Sequence, residues 1–215
     1  MKRSKVLNGL FGIVLGRTGL YKYSWVRRAY WNLRARNIEH LWGRSRDDYD
    51  ALRNIISSIP GVVRILDIGC GSGRLFPLYQ SLEIKEVVAQ DIARNALDLA
   101  EQRYGCQNIQ LVNLPVEALD FAPAYFDLVI SNRVLQHIAP ANIEGAVRSI
   151  CRLGKFVFVN ELSATDGIPE NAFMFKHDYL RLFGKFDFGL QDRGLLGKQT
   201  WMLFAKSAAD GNTRV

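Results

Sequence analysis

The feature that most constrains this chain is a short apolar run that stops at alternating glycines. It reads Leu66-Asp67-Ile68-Gly69-Cys70-Gly71-Ser72-Gly73-Arg74. From Val62 to Ile68 the residues are mostly β-branched and apolar, which marks a strand buried on both faces, as in a parallel sheet. Glycines just beyond such a strand permit positive-φ backbone and let a ligand approach the main chain. The turn falls at the carboxyl end of the strand, where doubly wound sheets bind their ligands.

The rest of the chain repeats the alternation that this turn begins. A helix is expected from about Arg74 to Leu82, a strand over Glu86–Gln90 and a helix over Arg94–Tyr104. Strands follow at Asn108–Val112 and Phe126–Ser131, then a helix from about Asn142 to Arg152 and a strand at Lys155–Glu161. Lys176–Phe183 reads as a helix, and Phe186–Gln191 and Thr200–Lys206 as two final strands, antiparallel to each other. This order predicts an α/β fold with helices on both faces of a parallel sheet. Upstream, residues 21–58 read as helical. Tyr49, Leu52, Ile55, Ile56 and Ile59 recur at helical spacing before Pro60-Gly61 ends the run.

Asp91 stands directly after the second strand, where a carboxylate can accept hydrogen bonds from the two hydroxyls of a ribose. A dinucleotide site carries Gly-x-Gly-x-x-Gly, but here the pattern is Gly-x-Gly-x-Gly and Arg74 holds the third-glycine place. Asp67 beside the loop would repel a pyrophosphate and suits a ligand bearing an amino group. A nicotinamide-dependent oxidoreductase is therefore disfavoured.

The glycine turn, Asp91 and the run Phe126-Asp127-Leu128-Val129-Ile130-Ser131-Asn132-Arg133-Val134-Leu135-Gln136-His137-Ile138 together resemble class I S-adenosylmethionine-dependent methyltransferases. They are most similar to the small-molecule, type 11 branch, which includes quinone C-methyltransferases and many sugar and metabolite O-methyltransferases. The resemblance covers about residues 60–206. It implies a Rossmann-like seven-stranded sheet, mostly parallel with the last strand antiparallel. It also implies S-adenosyl-L-methionine as cofactor, held by Asp67, Gly69, Cys70, Gly71, Gly73, Asp91, Ile92 and Asn132. Where the family often has an acid after the third strand to read adenine, this chain has Pro115. Backbone groups of Val116 or the side chain of Glu117 are the substitutes.

Proximity and alignment do much of the work of methyl transfer, and a base matters only when the acceptor must lose a proton. Three residues are candidates. His137 follows the fourth strand, and an imidazole suits proton removal near neutral pH; the alternative is a structural ring at a helix start. Glu161 ends the fifth strand and suits a base, a contact to a substrate hydroxyl, or a loop contact. His177 precedes Asp178, which would orient it or simply cap the following helix. Asn132 and Arg133 are expected at the pocket, Arg133 facing either an anionic acceptor or a surface partner. The loop 162–176, with Phe173-Met174-Phe175, suits a lid or core packing.

The chain of 215 residues carries a net charge of +7, unevenly placed. The first sixty residues hold 12 of the 28 basic and 4 of the 21 acidic residues, a local charge of +8. This divides the chain into a basic N-terminal helical cap (1–59), the sheet domain (60–207) and a flexible tail (208–215). A basic, aromatic-rich cap suits an anionic acceptor, peripheral contact with a membrane, or RNA; a solvated helical face is the plain alternative. The run Leu7–Leu15 after Lys2, Arg3 and Lys5 imitates a leader without a clean cleavage site, and is too short to span a bilayer. Its expected role is packing on the main domain, with an interfacial helix as the alternative. Three cysteines without a paired spacing argue against zinc and for a reduced, cytoplasmic protein.

The acceptor expected is a small molecule with a hydroxyl, of glycan, lipid-linked or secondary-metabolite type. An RNA or protein methyltransferase, or a cofactor-binding partner subunit without turnover, is the alternative. DNA is not among the expected partners. Base amino-methylation is disfavoured because Ser131-Asn132-Arg133-Val134 replaces the Asn/Asp-Pro-Pro-aromatic tetrapeptide of such enzymes.

Overall fold

A computed structural model describes residues 20–35, 46–82, 84–106, 108–163, 173–197 and 199–207. The leader-like run at Leu7–Leu15, most of the loop 162–176 and the tail 208–215 lie outside these residues. A seven-stranded sheet runs in the order β3-β2-β1-β4-β5-β7-β6. Its strands are β1 (Arg64–Ile68), β2 (Glu86–Gln90), β3 (Ile109–Val112), β4 (Phe126–Asn132), β5 (Gly154–Glu161), β6 (Phe188–Leu196) and β7 (Gln199–Lys206). The first five are parallel neighbours, and β7 runs antiparallel to both β5 and β6.

The helices are α1 (Ser24–Arg34), α2 (Arg46–Ser58), α3 (Phe76–Gln80), α4 (Arg94–Tyr104), α5 (Ile143–Leu153) and α6 (Tyr179–Gly184). Alternation along the strands divides the core in two. Leu66 and Ile68 of β1 pack with Ile143, Val147 and Ile150 of α5, while Ile65 faces Leu52, Ile56, Phe76 and Leu97. The apolar stripe of α2 thus lies in the main core, although its sequence belongs to the basic segment. None of the described helices is long and apolar enough to cross a membrane.

Several boundaries differ from the sequence expectation. The first strand begins at Arg64 because the amides of Val63 and Arg64 donate to the Asp127 carboxylate at 3.0 and 2.9 Å instead of joining a ladder. Lys155 also donates to that carboxylate, at 2.7 Å. The helix after the glycine turn shortens to Phe76–Gln80 because residues 71–75 are used in the turn, with Pro77 in its first helical turn. The helix expected from Lys176 begins at Tyr179, with Asp178 as its cap accepting the Arg181 amide at 3.0 Å. β6 continues to Leu196 through Gly194, a residue that reads as a breaker. A Cβ there would lie 2.7 Å from the Trp201 indole nitrogen on β7, so glycine lets the indole cross the strand.

Candidate functional site

β1 is paired with β2 on one side and β4 on the other, so the connection reverses at its carboxyl end. That switch point opens a crevice in a parallel sheet, and here it holds a cavity of about 420 Å³. The glycine turn forms its floor. Gly69, Gly71 and Gly73 have φ of +60°, +57° and +78°. A Cβ at Gly69 would also lie 2.5 Å from Val134 on the neighbouring strand end. Side chains are excluded there by both conformation and space.

The turn is fastened from β2. Cys70 N–H donates to the Gln90 carbonyl at 3.0 Å, and Gly69 N–H to the Gln90 side-chain oxygen at 3.3 Å. Asp91 accepts the Gly71 amide at 2.9 Å through one oxygen and the Ala93 amide at 2.7 Å through the other. Burial raises its pKa to about 6, and those amides hold it from rising further. Each carboxylate oxygen keeps capacity for a second donor.

Asp67 points from β1 toward the same cavity. It is buried, and its Oδ2 has no hydrogen-bond partner among the described residues. Burial pushes its pKa to about 7, against the pull of the Arg74 guanidinium and of a nearby Tyr79 hydroxyl that itself makes no hydrogen bond among the described residues. A buried carboxylate oxygen without a donor is costly, and a ligand ammonium would relieve it. The Cys70 thiol is buried and pushed well up by that burial, so it lines the cavity as a neutral group.

Pro115, Val116 and Glu117 close the β3 end of the cavity, the latter two in a 3-10 turn. Ile92 lines it beside Asp91, and Asn132 lines the β4 end, where its Oδ1 accepts from Asn160 at 3.1 Å. Gly73 stands behind the floor, against Phe76 and Ala100. Arg133 has a φ of +65°, its amide donates to the Asn160 carbonyl at 2.9 Å, and its Nε donates to Gln199 at 2.7 Å. It borders the cavity while anchored to β7.

Of the three candidate bases, His137 borders the cavity; Glu161 and His177 are turned into the protein. His137 sits in a 3-10 turn, with Nδ1 2.5 Å from the Phe173 carbonyl. That contact requires the proton on Nδ1, leaving Nε2 to accept from the Gln136 amide at 3.3 Å. Burial lowers its pKa to about 4, so the ring is neutral at neutral pH.

Glu161 accepts from the Ser131 hydroxyl at 2.6 Å and from the amides of Val134 and Gln136 at 2.8 and 3.1 Å. It therefore holds the backbone that carries His137. Burial raises its pKa to about 7. His177 is buried between Phe175 and Tyr179, with Nε2 3.0 Å from the Ile138 carbonyl.

Arg27 and Trp31, one turn apart on α1, are among the cavity residues that the sequence did not single out. Trp31 meets the His137 ring edge to face, centroids 4.8 Å apart. α1 is held over the cavity by Tyr30 stacked on Phe173 at 4.6 Å and by Asn32, whose Oδ1 accepts the Asn95 amide at 3.0 Å. Their i, i+4 spacing was visible, but only tertiary packing places them above the sheet.

This strand order, with the glycine turn and the acid after β2, is that of the Rossmann-like, class I S-adenosylmethionine-dependent methyltransferases. Residues 65–155 match the family model described as a methyltransferase domain. Uncharacterised methyltransferases of Mycobacterium bovis and Mycobacterium tuberculosis are 32% identical over 109 residues, 51% of this chain and 52% of theirs. The match thus spans about half the length of those relatives. The fold is shared with the 1,6-didemethyltoxoflavin-N1-methyltransferase of Burkholderia thailandensis, solved with bound 1,6-didemethyltoxoflavin and S-adenosylhomocysteine. The TM-score is 0.62 at 20% identity, over 96% of this chain and 90% of that one. It is shared too with the magnesium protoporphyrin IX methyltransferase of Synechocystis, solved with S-adenosylhomocysteine. Here the TM-score is 0.62 at 19% identity, over 74% and 82% of the two chains.

Proposed function

We propose that this chain moves a methyl group from S-adenosylmethionine to a small-molecule acceptor, at a hydroxyl of a glycan, lipid-linked or secondary-metabolite compound. The observation that carries the reading is the pairing of two buried acids across one glycine turn. Asp91 is fastened to the turn with acceptor capacity left for a ribose, and Asp67 has an oxygen that lacks a donor. A ligand with a ribose at one end and an amino acid at the other satisfies both. Val116 and Glu117 flank the adenine in this reading, and Asn132 stands near the reacting centre.

The cofactor supplies a methyl group already activated by its sulfonium. The residues of this chain then bind, align and exclude water. His137 borders the acceptor side as a neutral imidazole whose Nε2 lone pair can take a proton once Gln136 yields it. Glu161 acts through the turn it holds. The three thiols, all free, support a reducing, cytoplasmic setting.

Calorimetric titration with S-adenosylmethionine, S-adenosylhomocysteine and NAD tests the reading, repeated on Asp91→Ala. The two methionine-derived ligands should bind and NAD should not. The substitution should weaken binding by about 1.5–3 kcal/mol, the worth of a hydrogen bond to a charged group. A folded wild type that binds neither methionine-derived ligand at millimolar concentration would overturn the assignment. RNA is the second reading, supported by the charge of the first sixty residues. A salt-sensitive mobility shift would favour it.

A further inference from the structure

We propose that Arg27 receives an anionic group of the methyl acceptor, a carboxylate or phosphate, so that this chain methylates an acid. The proposal rests on the methyltransferase reading of the same cavity. Arg27 lies in the cavity wall with only 6% of its surface exposed. Among the described residues its Nε and Nη1 have no hydrogen-bond partner, and its Nη2 has a long contact, 4.0 Å, to the Glu117 carboxylate. Guanidinium groups stay charged at any physiological pH. Burying such a charge without acceptors is unfavourable, and it becomes favourable when an anion arrives.

Asp67, Asp91 and the glycine turn lie at the carboxyl ends of β1 and β2, whereas Arg27 enters from above on α1, where its Nη2 faces Glu117 on the adenine side. On the same face, one turn later, Trp31 rests on His137, at the β4 end where the acceptor is expected. The contact with Glu117 is too long to be a hydrogen bond and does not saturate the guanidinium. Lysine would offer the charge without the planar set of donors.

The test uses the full chain and the variants Arg27→Met and Arg27→Lys, with thermal unfolding to confirm that each is folded. S-adenosylhomocysteine and methylthioadenosine, which lacks the amino-acid tail, are titrated first. The proposal expects both affinities to change less than threefold in Arg27→Met. With S-adenosylhomocysteine bound, sodium phosphate and sodium benzoate are then added. At least one should raise the melting temperature of the wild type by a few degrees, have no effect on Arg27→Met, and act weakly on Arg27→Lys.

A tenfold loss for S-adenosylhomocysteine but not methylthioadenosine in Arg27→Met would assign the residue to the cofactor's own carboxylate and overturn the proposal. No anion effect dependent on Arg27 would also overturn it, leaving a structural partner of Glu117. Failure of the wild type to bind S-adenosylhomocysteine is a separate outcome, which overturns the cofactor reading first.

Discussion

Asp67 and Asp91 are both buried acids with raised pKa values, yet their surroundings differ. Asp91 is satisfied by two backbone amides, whereas Asp67 keeps an oxygen without a donor. For each, the folded pKa exceeds the unfolded value of 3.8, at about 7 for Asp67 and about 6 for Asp91. Folding therefore favours the protonated acids. Their contribution to stability is fully present below pH 3.8 and is lost as pH rises through about 6 and then about 7. A bound ammonium reverses the preference at Asp67, since it pairs with the carboxylate. The affinity for S-adenosylhomocysteine should accordingly rise with pH up to about 7 and level off above. Asp67→Asn should remove the part of the rise centred near 7 and leave a weaker one near 6, belonging to Asp91. Calorimetry between pH 5.5 and 8.5 checks this, and a flat wild-type profile would count against the role given to Asp67. The sequence exposed these acids well, because glycines and carboxylates at a strand end carry their chemistry in their identity. It exposed Glu161 and His177 less well. A residue at a strand end can face the cavity or the core, and only packing decided that both turn inward.

At the scale of elements, α1 was legible as part of a helical cap, but its place over the sheet was not. Its aromatic and basic residues were plain, but nothing local says which part of the sheet they cover. Its described attachments include Tyr30 stacked on Phe173, Trp31 against His137 and Asn32 with Asn95, and Tyr21 just before it also meets Phe173. Phe173→Ala removes the ring that both tyrosines meet. At about 0.5–1.5 kcal/mol for each aromatic pair, α1 should loosen by about 1–3 kcal/mol while the sheet stays intact. Hydrogen exchange should then accelerate over residues 24–34 and remain unchanged in β1 and β4. Equal acceleration in the sheet would mean that α1 and the sheet unfold as one unit. The strands, by contrast, were legible because their apolar runs are short and bounded by turns. Their errors fell where a side chain replaced a ladder partner, as Asp127 does at Val63, or where a strand glycine makes room for a neighbouring side chain, as Gly194 does for Trp201.

At the scale of the whole molecule, the cavity is lined by residues at the ends of β1, β2 and β4, by the turn that follows β3, and by α1 and α4. Ligand binding therefore ties distant parts of the chain together. At one hundred times its dissociation constant, S-adenosylhomocysteine should add about 2.7 kcal/mol to stability. In a chain of this size that corresponds to a melting temperature about 5–10 °C higher. NAD at the same concentration should give no shift, and an equal shift from NAD would point to a site that reads only adenosine. The fold class was legible at this scale because strand–helix alternation leaves few topologies. The acceptor was not, because its surroundings come from α1 and from the segment around Phe173, whose positions depend on contacts far apart in sequence.

The place of β7 has a consequence for how the molecule comes into being. Although β7 follows β6 in sequence, it is inserted between β5 and β6. Until residues 199–206 are synthesised, β5 has no neighbour on that side, and its backbone from Phe156 to Glu161 presents an open edge. Translation therefore passes through a stage in which the cofactor-binding half is complete while its flank can still pair with another chain. The closing strand removes that open edge as well as completing the sheet.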